Sequence, residues 1–392
     1  WRQTRGWART RLVYFALQFS RPFRAYGCQM DDAAPYRDFY RKWDQTRGFP
    51  DLAGRKLRLW FEFDMTADPV VLAKVALSGT GTDGALANLS AEAPGWDFDG
   101  ARRAAAARWD EELGRFDLDA EPARRTAFAT AVYHALLSPV VFQDVDGRYR
   151  GLDGNVHAAD GWTNHTVFSL WDTYRALHPL FTLIQPARTN DLVRSMLAHA
   201  DQSALGLLPV WSHWAQENWC MIGYHSLPVI ADAWLKGLRG YDTEAALAAM
   251  QRAATYGAYD GLAGYQRLGW VPDDESRYAA SKTVEYAYDG WPLARMAEGA
   301  GRPDLAAAFD ARAVNYRHLF DPRTRFLRAR RADGSWRAPF DPLQTHDQGY
   351  IEGNAWNYSL YVPHDVAWLV QAMGGDDAFA AHLDSLFTMS LP

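Results

Sequence analysis

The period of apolar and polar positions changes once along the chain, near Trp96, and divides it into a strand-rich beginning and a helical remainder. Residues 11–20 (Arg-Leu-Val-Tyr-Phe-Ala-Leu-Gln-Phe-Ser) and 57–63 (Leu-Arg-Leu-Trp-Phe-Glu-Phe) are rich in residues that suit a half-buried pleated surface, and the second alternates. Val70–Ser78 fits a further strand. Beyond Trp96, Ala101–Leu113 and Arg124–Leu137 have helical periodicity with no strand run between them. In Leu305–Phe320 the apolar residues Leu305, Phe309, Ala313, Tyr316 and Phe320 recur every three or four positions, which makes one buried stripe. A single hairpin is expected within this helical region, where Phe326–Arg331 and Trp336–Phe340 flank the turn-forming pair Asp333-Gly334.

These elements predict an α+β chain that is mainly α: a β region over 1–95, a helical linker over 96–123 and a helical domain over 124–392. At three to four turns each, roughly eight or nine helices are expected after residue 124. Antiparallel helices joined by motif-rich loops suggest an α/α toroid. A six-hairpin toroid needs about twelve helices, so an incomplete (α/α)6 barrel is expected, and the chain stops at Ser390-Leu391-Pro392 before that count is reached.

Composition narrows the function. A chain of 392 residues, 48% apolar and 22% charged, has room for two or three domains with a large core. A net charge of −6 argues against phosphate-backbone recognition, hence against a nucleic-acid partner. Two cysteines, Cys28 and Cys220, allow at most one bridge. No apolar run approaches the roughly 20 residues that span a bilayer. Residues 1–27 carry six arginines and lack the cleavage pattern of a signal peptide. The 17 Trp, 19 Tyr and 19 Phe suit a Trp-rich helical core, but also a carbohydrate cleft, where sugar C–H faces lie against rings.

Short motifs give less. Gly79-Thr80-Gly81-Thr82-Asp83-Gly84 matches G-x-G-x-x-G, yet no β-α-β unit follows, so a glycine-rich turn is the better reading. The eleven histidines form no zinc motif, and no nucleophile elbow is present. His364-Asp365, after Val362-Pro363, reads as a helix start. Four segments dense in Trp, Asn and acid remain: Ser169–Arg175; Leu208–His225, with Glu217-Asn218-Trp219; Val271–Glu275 with Ser281–Asp289 after it; and Tyr350–Tyr358. An isolated acid in such a loop is ordinarily a helix cap or a surface charge. Four such loops in one helical domain point instead to a shared cleft.

At these segments the sequence resembles glycoside hydrolase family 92, the calcium-dependent exo-acting α-mannosidases. The similarity is collinear: it begins in Val70–Glu92 and continues through Phe168–Pro179, Leu208–Gly237, Ser281–Asp289, Asp341-Pro342 and Glu352–Gly375. The family pairs an N-terminal β-sandwich with a C-terminal (α/α)6 barrel in chains about twice this length. The resemblance therefore implies that residues 1–95 are the end of the sandwich and that 124–392 are most of the barrel.

It also implies roles. Glu352, in Glu352-Gly353-Asn354-Ala355-Trp356, matches the general acid of an inverting reaction. Asp172 matches a carboxylate that holds the terminal mannose, and Trp171, Glu217 and Asn354 are expected to bind substrate with it. At Asp289-Gly290-Trp291 the family usually has a second Asp, so Gly290 is a departure and the segment reads as support. The general base, and the loop that meets sugar and calcium, are expected beyond residue 392, so no metal ligand is assigned. The expected substrate is a mannose-containing glycan such as an N-glycan, and the expected location is the periplasm or outside the cell. An incomplete chain could instead be inactive, or a weak mannose binder. Another toroidal glycosidase or a sugar epimerase fits the architecture but not the collinear motifs.

Overall fold

A computed structural model of the protein describes residues 6–29 and 56–389 together with short strands at 2–3, 36–37, 43–44 and 49–50. Two compact units emerge: residues 14–112, and residues 2–13 with 113–392.

In the first unit the expected strands form where aromatic and β-branched residues alternate. Leu12–Phe19 pairs antiparallel with Ala73–Ser78, in a register that sets Phe15 opposite Leu77 and Leu17 opposite Val75. Ala25–Gln29 pairs with Arg58–Glu62. Because side chains alternate between faces, Ala16 and Ala76 turn to one side. There they meet Ala85 and Leu89 of helix α1 (Thr82–Glu92) in a small core. Phe15, Leu17, Val75 and Leu77 are exposed. The Gly79–Gly84 segment is the turn into α1, and the strand before it runs antiparallel to its partner, so no dinucleotide-type β-α-β unit is built. Helix α2 (Phe98–Leu113) closes the unit's sequence.

The second unit is helical. After α3 (Pro122–Ala135) come α4 (Leu170–Thr173), α5 (Leu177–Ile184), α6 (Pro186–Gln202), α7 (Ser226–Leu235), α8 (Thr243–Thr255), α9 (Leu262–Leu268), α10 (Ala279–Gly299), α11 (Pro303–Ala313), α12 (Ala355–Tyr358), α13 (Val366–Ala372) and α14 (Asp376–Thr388). Its sheets are two-stranded, such as Phe168–Ser169 against Trp211–Ser212. Among the described residues no closed strand barrel forms.

Two expectations change. Ser281–Asp289 is not a loop but the first half of α10, a helix of 21 residues that is buried nearly all round and packs on α7, α8 and α11. A helix enclosed on every side loses the polar stripe that marks a surface helix, and with it the signal of its period. The expected hairpin shrinks as well. Phe326–Leu327 pairs with Phe320–Asp321 instead, and across the Asp333-Gly334 turn an isolated Arg330–Trp336 bridge remains, with the Arg331 amide donating to Ser335 and the Arg337 amide to Ala329. The Leu305–Phe320 stripe does lie inward, broken at Val314 where α11 gives way to a 3₁₀ turn at Asn315–Leu319. Asp365 opens α13 as expected and takes bonds from Tyr316 and Arg317.

His178, on α5, is buried, and neither ring nitrogen has a hydrogen-bond partner among the described residues. Burial lowers its pKa to about 4. Its contribution to stability is thus present above the unfolded value and lost as pH falls from about 6.5 toward 4. We expect His178→Leu to flatten this acid limb and, near pH 5, to be about 1–3 kcal/mol more stable than wild type. Urea titrations across that range would measure it, and an unchanged limb would contradict the assignment.

Candidate functional site

The site is assembled around the N-terminal half of α10. Glu285 and Asp289 lie four residues apart, on one face of the helix, and both are completely buried. Two carboxylates so placed repel each other and lack water, so they require a cation between them. His225, just before α7, fills that position: Nδ1 is 2.7 Å from Asp289 and Nε2 is 2.9 Å from Glu285. Burial opposes the charged ring, but Asp289 and Glu285 outweigh it and push the pKa up to about 9. Tyr174 stacks on the imidazole at 4.2 Å, and the Tyr224 amide donates to the second Asp289 oxygen at 2.9 Å.

Glu285 also reaches outward. Its Oε1 accepts from the Trp171 indole at 3.0 Å and from the Tyr358 hydroxyl at 3.5 Å. Trp171 and Asp172 share the single turn of α4, and Tyr358 ends α12, which follows Glu352. Burial pushes the Asp172 carboxyl up, while Arg175 pulls it down. Arg175 also lies over the Trp171 ring, 4.9 Å from its centre.

The Glu352 turn is pinned to the start of α10. Ala280 and Ser281 amides donate to the Gly349 carbonyl, and the Ile351 amide donates to Ser281 Oγ at 3.1 Å. Gly349 has φ of +87°, and a Cβ there would lie 2.6 Å from Ala329 Cβ, so only glycine fits. Glu352 itself is held at φ of +46°, a left-handed conformation that costs a non-glycine residue energy. Asn354 then caps α12, its side chain accepting from the Trp356 and Asn357 amides. Held in this way, Glu352 is exposed on a cleft of about 790 Å³, with Asp273, Tyr278, Arg337 and His346 among its walls.

Glu217 shapes the facing loop. Its carboxylate, 5% exposed, accepts from four backbone amides: Val210, Trp211, Asn218 and Trp219, at 2.8–3.0 Å. Burial raises its pKa and these amides lower it. His199 lies 3.5 Å away, but burial lowers its pKa to about 3, so the ring is neutral there and no ion pair forms. Trp214, Ala215, Trp219 and Met221 all take positive φ, and a carboxylate at the loop's centre is what holds such a path. From outside, Thr10 bonds Gln216 and Arg11 lies 3.8 Å over the Trp214 ring.

Three of the expected residues converge. Burial raises the Cys220 thiol pKa, and the charges of Glu352, Asp172 and Glu217 raise it further, so all three carboxylates act on this one thiol. Asp172 and Glu352 offer their carboxylates outward. Glu217, Asn354 and the Trp171 N–H are occupied by the protein itself. Glu285 and His225 were not anticipated. Lys282, Glu285 and Asp289, at steps of three and four in an otherwise apolar segment, are the signal that could have found them. Among the described residues no group of three or more His, Cys, Asp or Glu side chains is arranged to hold a metal ion.

A helical unit whose loops present carboxylates beside a large cleft is the arrangement of a carbohydrate-active catalytic domain. Residues 84–391 match the model of the glycosyl hydrolase family 92 catalytic domain, and the chain belongs to that family. It is 39% identical to the family GH92 α-mannosidase BT3965 from Bacteroides thetaiotaomicron, covering 98% of this chain and 51% of that one with a TM-score of 0.89. That enzyme has also been solved in complex with mannoimidazole. The inverting mannosidase BT2199 from the same organism is 32% identical over 95% of this chain and 50% of its own, with a TM-score of 0.87. An uncharacterized secreted glycosidase of Arthroderma benhamiae is 25% identical, covering 84% of this chain and 43% of that protein. The chain thus spans about half the length of the relatives it matches.

Glu217→Ala would leave four buried amides without an acceptor, so we expect a loss of about 3 kcal/mol or more, with Glu217→Gln recovering part of it. Denaturant titration of both variants measures this, and equal stability of Ala and wild type would contradict the loop-organising role. The His225 pair gives the opposite pH sign from His178. Its contribution is complete below about 6.5 and is lost as pH rises through about 9. His225→Gln should be less stable than wild type near neutrality and show a flatter alkaline limb in the same titration.

Proposed function

We propose that the protein, at its full natural length, hydrolyses terminal α-linked mannose from glycans by a single inverting displacement, with Glu352 as the proton donor. The observation that carries this reading is Glu352 itself, a carboxyl forced into a strained turn and left open to a sugar-sized cleft, in a chain of family 92. Strain of this kind persists where a side chain must be aimed. In the reaction the Glu352 proton passes to the glycosidic oxygen as the C1–O bond breaks. Water enters from the opposite face and gives its proton to a second carboxylate, about 6.5–9.5 Å from the first in inverting enzymes. Asp172, beside the Trp171 ring, is the group we assign to hold hydroxyls of the terminal mannose. The solved relatives named as mannosidases support mannose as the sugar. The secreted fungal relative supports work on glycans outside the cytoplasm, and no helix among the described residues is long and apolar enough to cross a membrane. Calcium is the ion the resemblance implies, but the described residues do not by themselves fit it, and no step here runs through it.

The test is Glu352→Gln in the full-length protein. On an α-mannoside with a poor leaving group we expect kcat to fall on the order of 10²–10⁴-fold while mannose binding persists. An activated aryl mannoside should suffer much less, since its leaving group needs no proton. Unchanged turnover of the poor substrate would refute the assignment.

A further inference from the structure

We propose that Glu285 is a positioning residue that sets the sugar-binding turn of α4 and the Glu352 turn relative to each other, by bonding to Trp171 on one side and Tyr358 on the other. This inference rests on the functional reading above. The carboxylate has no exposure and so touches no substrate. Its reach is what matters: Oε1 takes the Trp171 indole at 3.0 Å and the Tyr358 hydroxyl at 3.5 Å, from two segments far apart in sequence. Trp171 is one residue from Asp172, and Tyr358 is six residues from Glu352, at the far end of a helix whose cap starts two residues after that acid.

The rest of the cluster holds Glu285 still. His225 bonds its other oxygen at 2.9 Å, Asp289 fixes His225 at 2.7 Å, and the Tyr224 amide fixes Asp289. Tyr174, stacked on His225, belongs to the residue run that carries Trp171. The charges facing this cluster are His225 from the turn before α7, Asp289 from α10 itself and Arg175 from the α4 segment, whose guanidinium lies over the Trp171 and Tyr361 rings. A rigid buried carboxylate whose one outward oxygen accepts from both turns is a gauge of distance, since it lets neither turn shift without losing a bond. Misplacement of reacting groups by about 1 Å costs on the order of 10²-fold in rate.

Glu285→Ala and Glu285→Gln in the full-length protein separate positioning from folding. The amide of Gln keeps an oxygen for Trp171 and a nitrogen for a neutral His225, so the geometry survives without the charge. In Glu285→Ala we expect kcat on an α-mannoside to fall about 100-fold or more with KM changed much less, and Glu285→Gln to regain most of that loss. The indole N–H resonance of Trp171, identified by its disappearance in Trp171→Phe, should shift in Glu285→Ala and return near its wild-type position in Glu285→Gln. Tyr358→Phe, which removes one bond only, should lower kcat by a smaller factor and leave that resonance in place. The proposal is overturned if folded Glu285→Ala keeps kcat and KM within about twofold of wild type, or if its indole signal does not move. A wild-type protein that releases no mannose overturns the functional reading and the positioning role together, and the indole signal then reports only on the hydrogen bond.

Discussion

The helical unit depends on one electrostatic requirement: two buried carboxylates on adjacent turns of α10 must share a cation. His225 stands between Glu285 and Asp289 in that interior and bonds both. Satisfying the pair draws the chain before α7 onto α10, and the leftover acceptor capacity of Glu285 draws in Trp171 and Tyr358. Burying ions in this way contributes little net stability compared with apolar packing. What it supplies is direction, because hydrogen bonds to charged groups are short and angular whereas hydrophobic contacts are not.

Around this rigid spine the site is built from strained or capped turns. Gly349, Glu352 and the left-handed residues of 214–221 carry backbone conformations that would relax if unsupported. Each is supported by a hydrogen-bonding group of the protein itself: Ser281 Oγ under Ile351, Asn354 on α12, Glu217 inside its loop. This division explains why several polar residues near the cleft face inward. They spend their hydrogen bonds on the loops, so that Asp172 and Glu352 can present theirs outward.

Much of this was legible in the sequence. The strands at Leu12–Phe19 and Arg58–Glu62, the helices α2 and α3, and the inward stripe of α11 followed from period alone. The four acid- and aromatic-rich segments are joined by hydrogen bonds through Glu285, Asp289 and His225, and the charges of Asp172, Glu217 and Glu352 all act on the Cys220 thiol. Two things were hidden. A helix buried on all sides has no amphipathic period, so α10 passed for a loop through its Ser281–Asp289 stretch. A carboxylate that organises a loop and one left open to solvent are both acids in the sequence, and only their partners distinguish Glu217 from Asp172. The Asp333-Gly334 turn formed as its chemistry requires, but Phe326–Leu327 found a nearer partner in Phe320–Asp321, and local propensity yielded to packing.

The cluster at His225 also bears on how the protein comes to exist. Its hydrogen bonds join residues 60, 64, 73 and 114 positions apart. Contacts that close such long loops must meet their entropy cost before they return anything, so they form after the local helices do. A nascent chain therefore carries the Trp171 and His225 segments for some time before Glu285 and Asp289 are there to bond them. Only when α10 has emerged do Glu285 and Asp289 bring these two residues together, and only when α12 follows does Tyr358 join them. The residues that define the site geometrically are among the last in the unit to find one another.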